Sequence, residues 1–250
     1  MEDKLLLTKD GYKSVPVMKH KSGIWYREGS SDEISIKECL SNYKLVNVKN
    51  RIVMDLGANI GGFTYMALKA GAKMVYAVEP DKNNFEMVIK NTENYNNCEL
   101  INAAITDKQY LDELDFYIGL GKAGPVMASL EPTRGRKKIN VNNLYAKDYI
   151  ERVQPEVMKI DIEGGEYDIL QYIPESCKEL TIEWHCAAPR PKMLELFNEH
   201  YPKFMSNGWK IIKEKKKEFF KDPKFYTSYK QFMKKTSGVP NFVMEGHYVR

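Results

Sequence analysis

The chain has 250 residues, 43% hydrophobic and 29% charged, which suits one α/β domain with a modest extension and a sizeable buried core. No apolar run approaches the roughly 18 to 20 residues that cross a bilayer, and the start MEDKLLLTKD lacks the apolar stretch and cleavage site of a secretory signal, so a soluble, cytoplasmic protein with no membrane partner is expected. The net charge of +4 is uneven: Lys210 to Lys235 holds ten lysines against three acids, a local +7 that leaves the remainder at −3.

Residues 1–50 mix polar turns with short apolar pieces and read as an N-terminal cap. Within it, Ser31 or Asp32 can N-cap a helix that carries Ile34, Ile36, Cys39 and Leu40. A regular alternation begins at Arg51, with strands expected at 52–56, 74–78, 99–103, 114–118, 157–162, 179–184, 209–212 and 241–248. Helices are expected at 62–70, 83–94, 144–153, 167–173 and 191–205. Strands that alternate with helices predict a doubly wound, mostly parallel sheet over residues 51–250, and the late strands without a helix between them predict an antiparallel last strand. A lysine-rich insertion is expected at 210–238. Cys39, Cys98, Cys177 and Cys186 are widely spaced with no C-x-x-C pair, so reduced thiols are expected rather than a zinc or redox centre.

The first strand ends in DLGANIGGF and runs straight into a helix. Gly57, Gly61 and Gly62 let the backbone turn tightly and bring a nucleotide-sized ligand against the helix N-terminus. The spacing G-x-x-x-G departs from the G-x-G-x-x-G of pyrophosphate-binding dehydrogenases. Glu79, at the end of the second strand, is placed to accept hydrogen bonds from ribose hydroxyls. Asp55 would repel a diphosphate and attract a cationic sulfonium or ammonium, which favours S-adenosylmethionine over a dinucleotide.

Four stretches together, REGSSDEISIKECL, VMDLGANIGGFTYMALKAGA with VYAVEPDKNNF, LINAAITD and KIDIEGGEYDIL, resemble the FkbM family of S-adenosylmethionine-dependent methyltransferases, within the class I Rossmann-like fold. The resemblance covers about residues 27 to 185. It implies methyl transfer to an oxygen or similar nucleophile, with Asp55, Gly57, Asn59 and Gly61 around the methionine portion of the cofactor and Glu79 on its ribose. Asn102 and Ala103 match the family's usual adenine-contact position.

In KIDIEGGEYDIL, strand alternation would turn Asp161 and Glu163 to one face at a C-terminal strand end, where open α/β sheets bind ligands. In TIEWHC, Glu183 and His185 share a face in the same way. Three readings stand. In the first, Asp161 orients the acceptor or the cofactor's positive end, Asp161 or His185 removes the acceptor proton, and Glu163 belongs to the pocket. In the second, Asp161, Glu163, Glu183 and His185 hold a divalent cation. In the third, Glu163 and Glu166 cap the next helix and His185 is a satisfied strand-end residue, a role that fits Glu166 best.

His20, His200 and His247 have no partner at motif spacing and read as structural or exposed. The glycine-rich, basic loop 119–138 could act as a lid through Ser129, Arg134 and Arg136. The family resemblance points to O-methylation of a sugar or glycan hydroxyl. Two alternatives remain open: a nucleic-acid methyltransferase that uses the basic, aromatic-interleaved segment from Lys210 to Lys235, and a non-catalytic anion-binding module on a nucleotide fold.

Overall fold

The computed structural model describes residues 3–8, 11–119, 136–185, 191–218 and 242–250. The segment before Arg51, the expected cap, comprises β1 (Asp3–Thr8), β2 (Gly11–Lys19), β3 (Trp25–Arg27) and α1 (Asp32–Asn42). The main domain begins with β4 (Ile52–Leu56), α2 (Gly62–Lys69), β5 (Met74–Val78), α3 (Lys82–Thr92), β6 (Cys98–Ile101), β7 (Ala104–Thr106) and β8 (Glu113–Gly119). It continues through β9 (Arg136–Tyr145), α4 (Ala146–Val153), β10 (Val157–Ile160), α5 (Glu166–Ile169), β11 (Glu179–His185), α6 (Pro191–Ser206), β12 (Lys210–Glu218) and β13 (Phe242–Val249).

Seven strands form the central sheet in the order β12-β13-β11-β10-β4-β5-β6. The five strands from β11 to β6 run parallel, and β13 lies antiparallel between β11 and β12. This is the doubly wound, mostly parallel sheet with an antiparallel last strand that the alternation predicts. The winding reverses between β4 and β10, which opens a crevice beyond their C-terminal ends.

The central strands are covered on both faces, so their apolar runs are nearly continuous. Val53, Val75 and Val157 pack with Phe63, Ala67 and Leu68 of α2, whereas Met54, Leu56, Met158 and Ile160 pack with Tyr149 and Ile150 of α4. By the two-residue period, Asp55 and Lys159 take the α2 face. That is also the face nearer the cap. Arg27 binds Asp32 through its backbone N–H, Nε and Nη2, and its Nη2 also donates to Asn84 Oδ1 of α3. Asn91 of α3 accepts from the Trp25 N–H and donates to the carbonyls of Trp25 and Ile60.

Several expected boundaries shift. Residues 136–145, of which 136–138 are expected in a loop and 144–145 at a helix start, form β9, paired with β8 so that Val141 faces Leu114 and Ile139 faces Phe116. Alternating Ile139, Asn140, Val141 and Asn142 give that strand one apolar face for its own small cluster. Arg136 therefore begins a strand, while Ser129 and Arg134 lie outside the described residues. Lys210–Glu218, expected to open an insertion, forms β12 at the outer edge of the sheet. The rest of the expected insertion, with its remaining lysines and all its aromatic residues, lies outside the described residues. Cys39, Cys98 and Cys177 are free thiols, and Cys186 is not among the described residues. No described helix is long and apolar enough to cross a membrane.

Candidate functional site

The β4–α2 turn is left-handed at three positions: Gly57 (φ 79°), Asn59 (φ 53°) and Gly61 (φ 79°). Asparagine tolerates this region better than most residues. At Gly57 a Cβ would lie 1.9 Å from the carbonyl oxygen of Asp161, so the turn after β4 and the turn after β10 touch backbone to backbone. A Cβ on Gly61 would sit 3.0 Å from Val88 Cα, so this glycine lets α3 pack against the turn. The N–H groups of Gly57 and Ala58 both donate to the carbonyl of Val78, tying the turn to the end of β5.

Asp55 is fully buried below this turn. Its Oδ2 accepts from the Thr64 hydroxyl of α2 at 2.6 Å, and its Oδ1 has no hydrogen-bond partner among the described residues. Lys159, its register partner on β10, reaches 3.4 Å from Asp55 Oδ1 and 3.5 Å from Asp161 Oδ2, and donates to the carbonyl of Gly57. Burial opposes the ammonium, but the carboxylates of Asp161 and Asp55 outweigh it and raise the Lys159 pKa above its ordinary value. Sequence reasoning missed Lys159. Its only signal was a lysine at the inward parity of an otherwise apolar strand.

Glu79 follows β5 and is buried. Its Oε2 accepts the Asn59 N–H at 2.8 Å and its Oε1 the Asp81 N–H at 2.9 Å. Burial, with Asp81 adding repulsion, pushes its pKa up to about 8 against those two donors. Asn102 donates its side-chain amide to the carbonyls of Glu79 and Pro80, which bends the chain there and ends β6 at Ile101 rather than 103. Ala103 is buried beside it.

The cap supplies the opposite side. Ser35 and Cys39, one turn apart on α1, face the glycine turn. Ser35 Oγ accepts from Asn59 Nδ2 at 3.4 Å, and a Cβ on Gly62 would meet Cys39 Sγ at 2.8 Å. Tyr43, a further turn on, packs edge-on against Phe63 of α2 at 5.0 Å between centroids. Burial raises the Cys39 pKa to about 12, so it remains a neutral thiol rather than a nucleophile.

Beyond β10 the expected geometry changes. The strand ends at Ile160, so Asp161 and Glu163 lie beyond it, Glu163 in a turn, and strand alternation does not fix their faces. Glu163 is left-handed (φ 54°), and its carboxylate lies 3.3 Å from His185 Nε2, while Asp161 stays with Lys159. Glu166 does not serve only its own helix. It is fully buried; its Oε2 accepts the Gly164 N–H at 2.8 Å, and its Oε1 accepts the His185 N–H at 2.7 Å and lies 3.2 Å from His185 Nδ1.

His185 is thus held between two carboxylates, one at each ring nitrogen. Burial works against its charged form, but Glu166 and Glu163 prevail and hold its pKa well above the usual histidine range. Ligand-type atoms of Asp161, Glu183 and His185 lie within 4.8 Å of one another, and Glu163 is not part of that set. The other histidines sit elsewhere: His20 beside Ser22, His200 beside the Tyr167 ring, and His247 on Glu179 at 2.8 Å.

Comparisons with known proteins bear on this geometry. Residues 55–209, more than half of the chain, match the family described as the methyltransferase FkbM domain. Over 68 residues the chain is 35% identical to a curated protein named Hemolysin A from Brachyspira hyodysenteriae, a match spanning 27% of this chain and 28% of that protein. Among solved structures, a methyltransferase FkbM from Methylobacillus flagellatus KT superposes with a TM-score of 0.44 at 16% identity, covering 81% of this chain and 45% of that one. TYW2 of M. jannaschii, solved with AdoMet, gives 0.46 at 16% identity over 99% and 94% of the two chains. A putative SAM-dependent methyltransferase from Streptococcus mutans gives 0.48 at 11% identity over 100% and 56%.

Proposed function

The chain belongs to the FkbM family of S-adenosylmethionine-dependent methyltransferases, and from that membership we propose that it methylates a hydroxyl oxygen of a sugar or glycan. The residues present fit the cofactor. Asn59 Oδ1 is a buried acceptor with no hydrogen-bond partner among the described residues, which complements a donor such as an ammonium, and Asp55 with Asp161 outweighs the single charge of Lys159 nearby. The Glu79 carboxylate at a strand end complements ribose hydroxyls, with Gly57 and Gly61 allowing close approach. Asn102 and Ala103 border the adenine side.

The observation that carries the acceptor class is the acidic character of the wall beyond β10. Asp161, Glu163 and Glu183 gather there against Lys159 and His185, with Glu166 buried behind His185. Such a wall disfavours a polyanion and offers acceptors to the hydroxyls of a neutral sugar.

Bound S-adenosylmethionine supplies a methyl group on a positively charged sulfur, open to in-line displacement by the acceptor oxygen. Asp161, whose side chain is 28% exposed, accepts the acceptor's hydroxyl proton. His185 has both nitrogens engaged and its proton held by Glu166 and Glu163, so it positions those acids and does not serve as the base at neutral pH. A divalent cation on Asp161, Glu183 and His185 would have to displace a carboxylate and the proton from His185, and the proposed reaction requires none.

A screen for mass-shifted products with labelled cofactor, monosaccharides and oligosaccharides against RNA and DNA oligonucleotides, tests the reading. Methylated sugar supports it. Methylated oligonucleotide, with a rate that falls steeply as salt rises, moves the acceptor to nucleic acid bound through the basic run that begins at β12. Failure of wild-type protein to bind S-adenosylhomocysteine in calorimetry leaves a non-catalytic module.

A further inference from the structure

Ser31 occupies the N-cap of α1, yet its hydroxyl does not cap the helix. A capping serine ordinarily has extended backbone and accepts an N–H two or three residues on. Ser31 is already helical (φ −74°, ψ −5°) and forms no side-chain cap bond; its carbonyl accepts the N–H groups of Ile34 and Ser35 at 2.9 and 3.2 Å. The residue is only 5% exposed, and its Oγ has no hydrogen-bond partner among the described residues. Burying a hydroxyl in this state is unfavourable unless something else completes it.

Other unpartnered atoms flank the same seam between α1 and the glycine turn. Arg27 Nη1 is buried without a partner, while the rest of that guanidinium is held by Asp32, the residue after Ser31, and by Asn84. Asn59 Oδ1 is unpartnered across from Ser35, whereas Asp55 Oδ1, below the turn, faces the Lys159 ammonium at 3.4 Å. The seam therefore offers one open acceptor and a net negative charge on its strand side and open donors on its cap side. An amino-acid zwitterion has the complementary pattern, an ammonium and a carboxylate on one carbon.

We propose that Ser31 Oγ is a cofactor ligand: it donates to the carboxylate of the amino-acid tail of S-adenosylmethionine, so the cap supplies part of the cofactor site. This rests on the methyltransferase reading above. Because the hydroxyl makes no bond within the helix, removing it should leave α1 intact.

The test is calorimetry on the full chain with S-adenosylhomocysteine and with its decarboxylated analogue, which keeps the ammonium. Wild type should prefer S-adenosylhomocysteine, and Ser31→Ala should weaken that ligand about tenfold while leaving the decarboxylated analogue nearly unchanged. Ser31→Thr, which restores the hydroxyl, should recover the preference. Equal weakening of both ligands would assign Ser31 a structural role, and no weakening of either, or no preference in wild type, would equally overturn the proposal. If wild type binds neither ligand, the methyltransferase reading fails first.

Discussion

Lys159 and Asp55 are register partners on adjacent parallel strands, and the ammonium that lies 3.4 Å from Asp55 also lies 3.5 Å from Asp161. One buried cation thus serves two carboxylates, one beneath the β4–α2 turn and one just beyond β10. The pairing leaves this part of the crevice with a negative balance, the sign that suits a sulfonium.

Lys159→Met should destabilise the fold by about 3–5 kcal/mol, because it leaves buried Asp55 without its counter-charge. Urea denaturation measures this, and a loss under about 1 kcal/mol would show that the ammonium is dispensable.

Glu166→Gln tests the clamp on His185. The folded-state pKa of His185 lies above its unfolded value, so the stability gained from the pair is fully present below about pH 6.5 and is lost as pH rises through the raised folded value. The variant should be less stable than wild type by about 1–3 kcal/mol at pH 6, with the gap closing in alkali. A gap that widens as pH rises contradicts the assignment.

Asp161→Asn should lower turnover of the acceptor found in the product screen by about a hundredfold or more, the scale of a lost general base. Its affinity for S-adenosylhomocysteine should stay within about threefold. Full turnover in this variant removes Asp161 from the proton transfer.

Glu79→Gln should weaken S-adenosylhomocysteine about tenfold through poorer acceptance of the ribose hydroxyls. In the free protein Glu79 is held at about 8, so its charged form disfavours the fold and native stability declines between about pH 4.3 and about 8. The glutamine variant should lack that part of the decline in a series of thermal melts.

Gly57→Ala should be among the most damaging single changes. It adds a left-handed alanine, about 1–2 kcal/mol by itself, and drives a methyl group into the carbonyl of Asp161. Recovery of soluble, S-adenosylhomocysteine-binding protein would mean that the two turns can separate.

The glycine turn, Glu79 and the winding of the sheet were legible because each is local: a turn needs glycine where φ is positive, and a strand reveals itself by its apolar run. Lys159 was not legible, since only the register of β10 on β4 puts it opposite Asp55. Glu166 opens a helix and reads as its cap, yet its carboxylate goes to His185, 19 residues away in sequence. The strand β9 hid behind its lysines and asparagines, although Ile139 and Val141 carried the period. The shared face expected for Asp161 and Glu163 rests on a strand through Ile162, whereas β10 ends at Ile160 and Glu163 is left-handed; both carboxylates nonetheless lie near His185.

The outer edge of the sheet has a consequence of its own. Ile211 and Ile212 of β12 are about half exposed, at 48% and 51%, and among the described residues β12 pairs only with β13. An open edge with apolar side chains can recruit a strand from another molecule, the first step of aggregation. By sequence β12 carries five lysines against Glu214 and Glu218, a net +3, so two copies approaching edge to edge should repel each other. Raising salt toward 1 M shortens the screening length to about 3 Å and should bring the edges together, seen as a growing scattering radius.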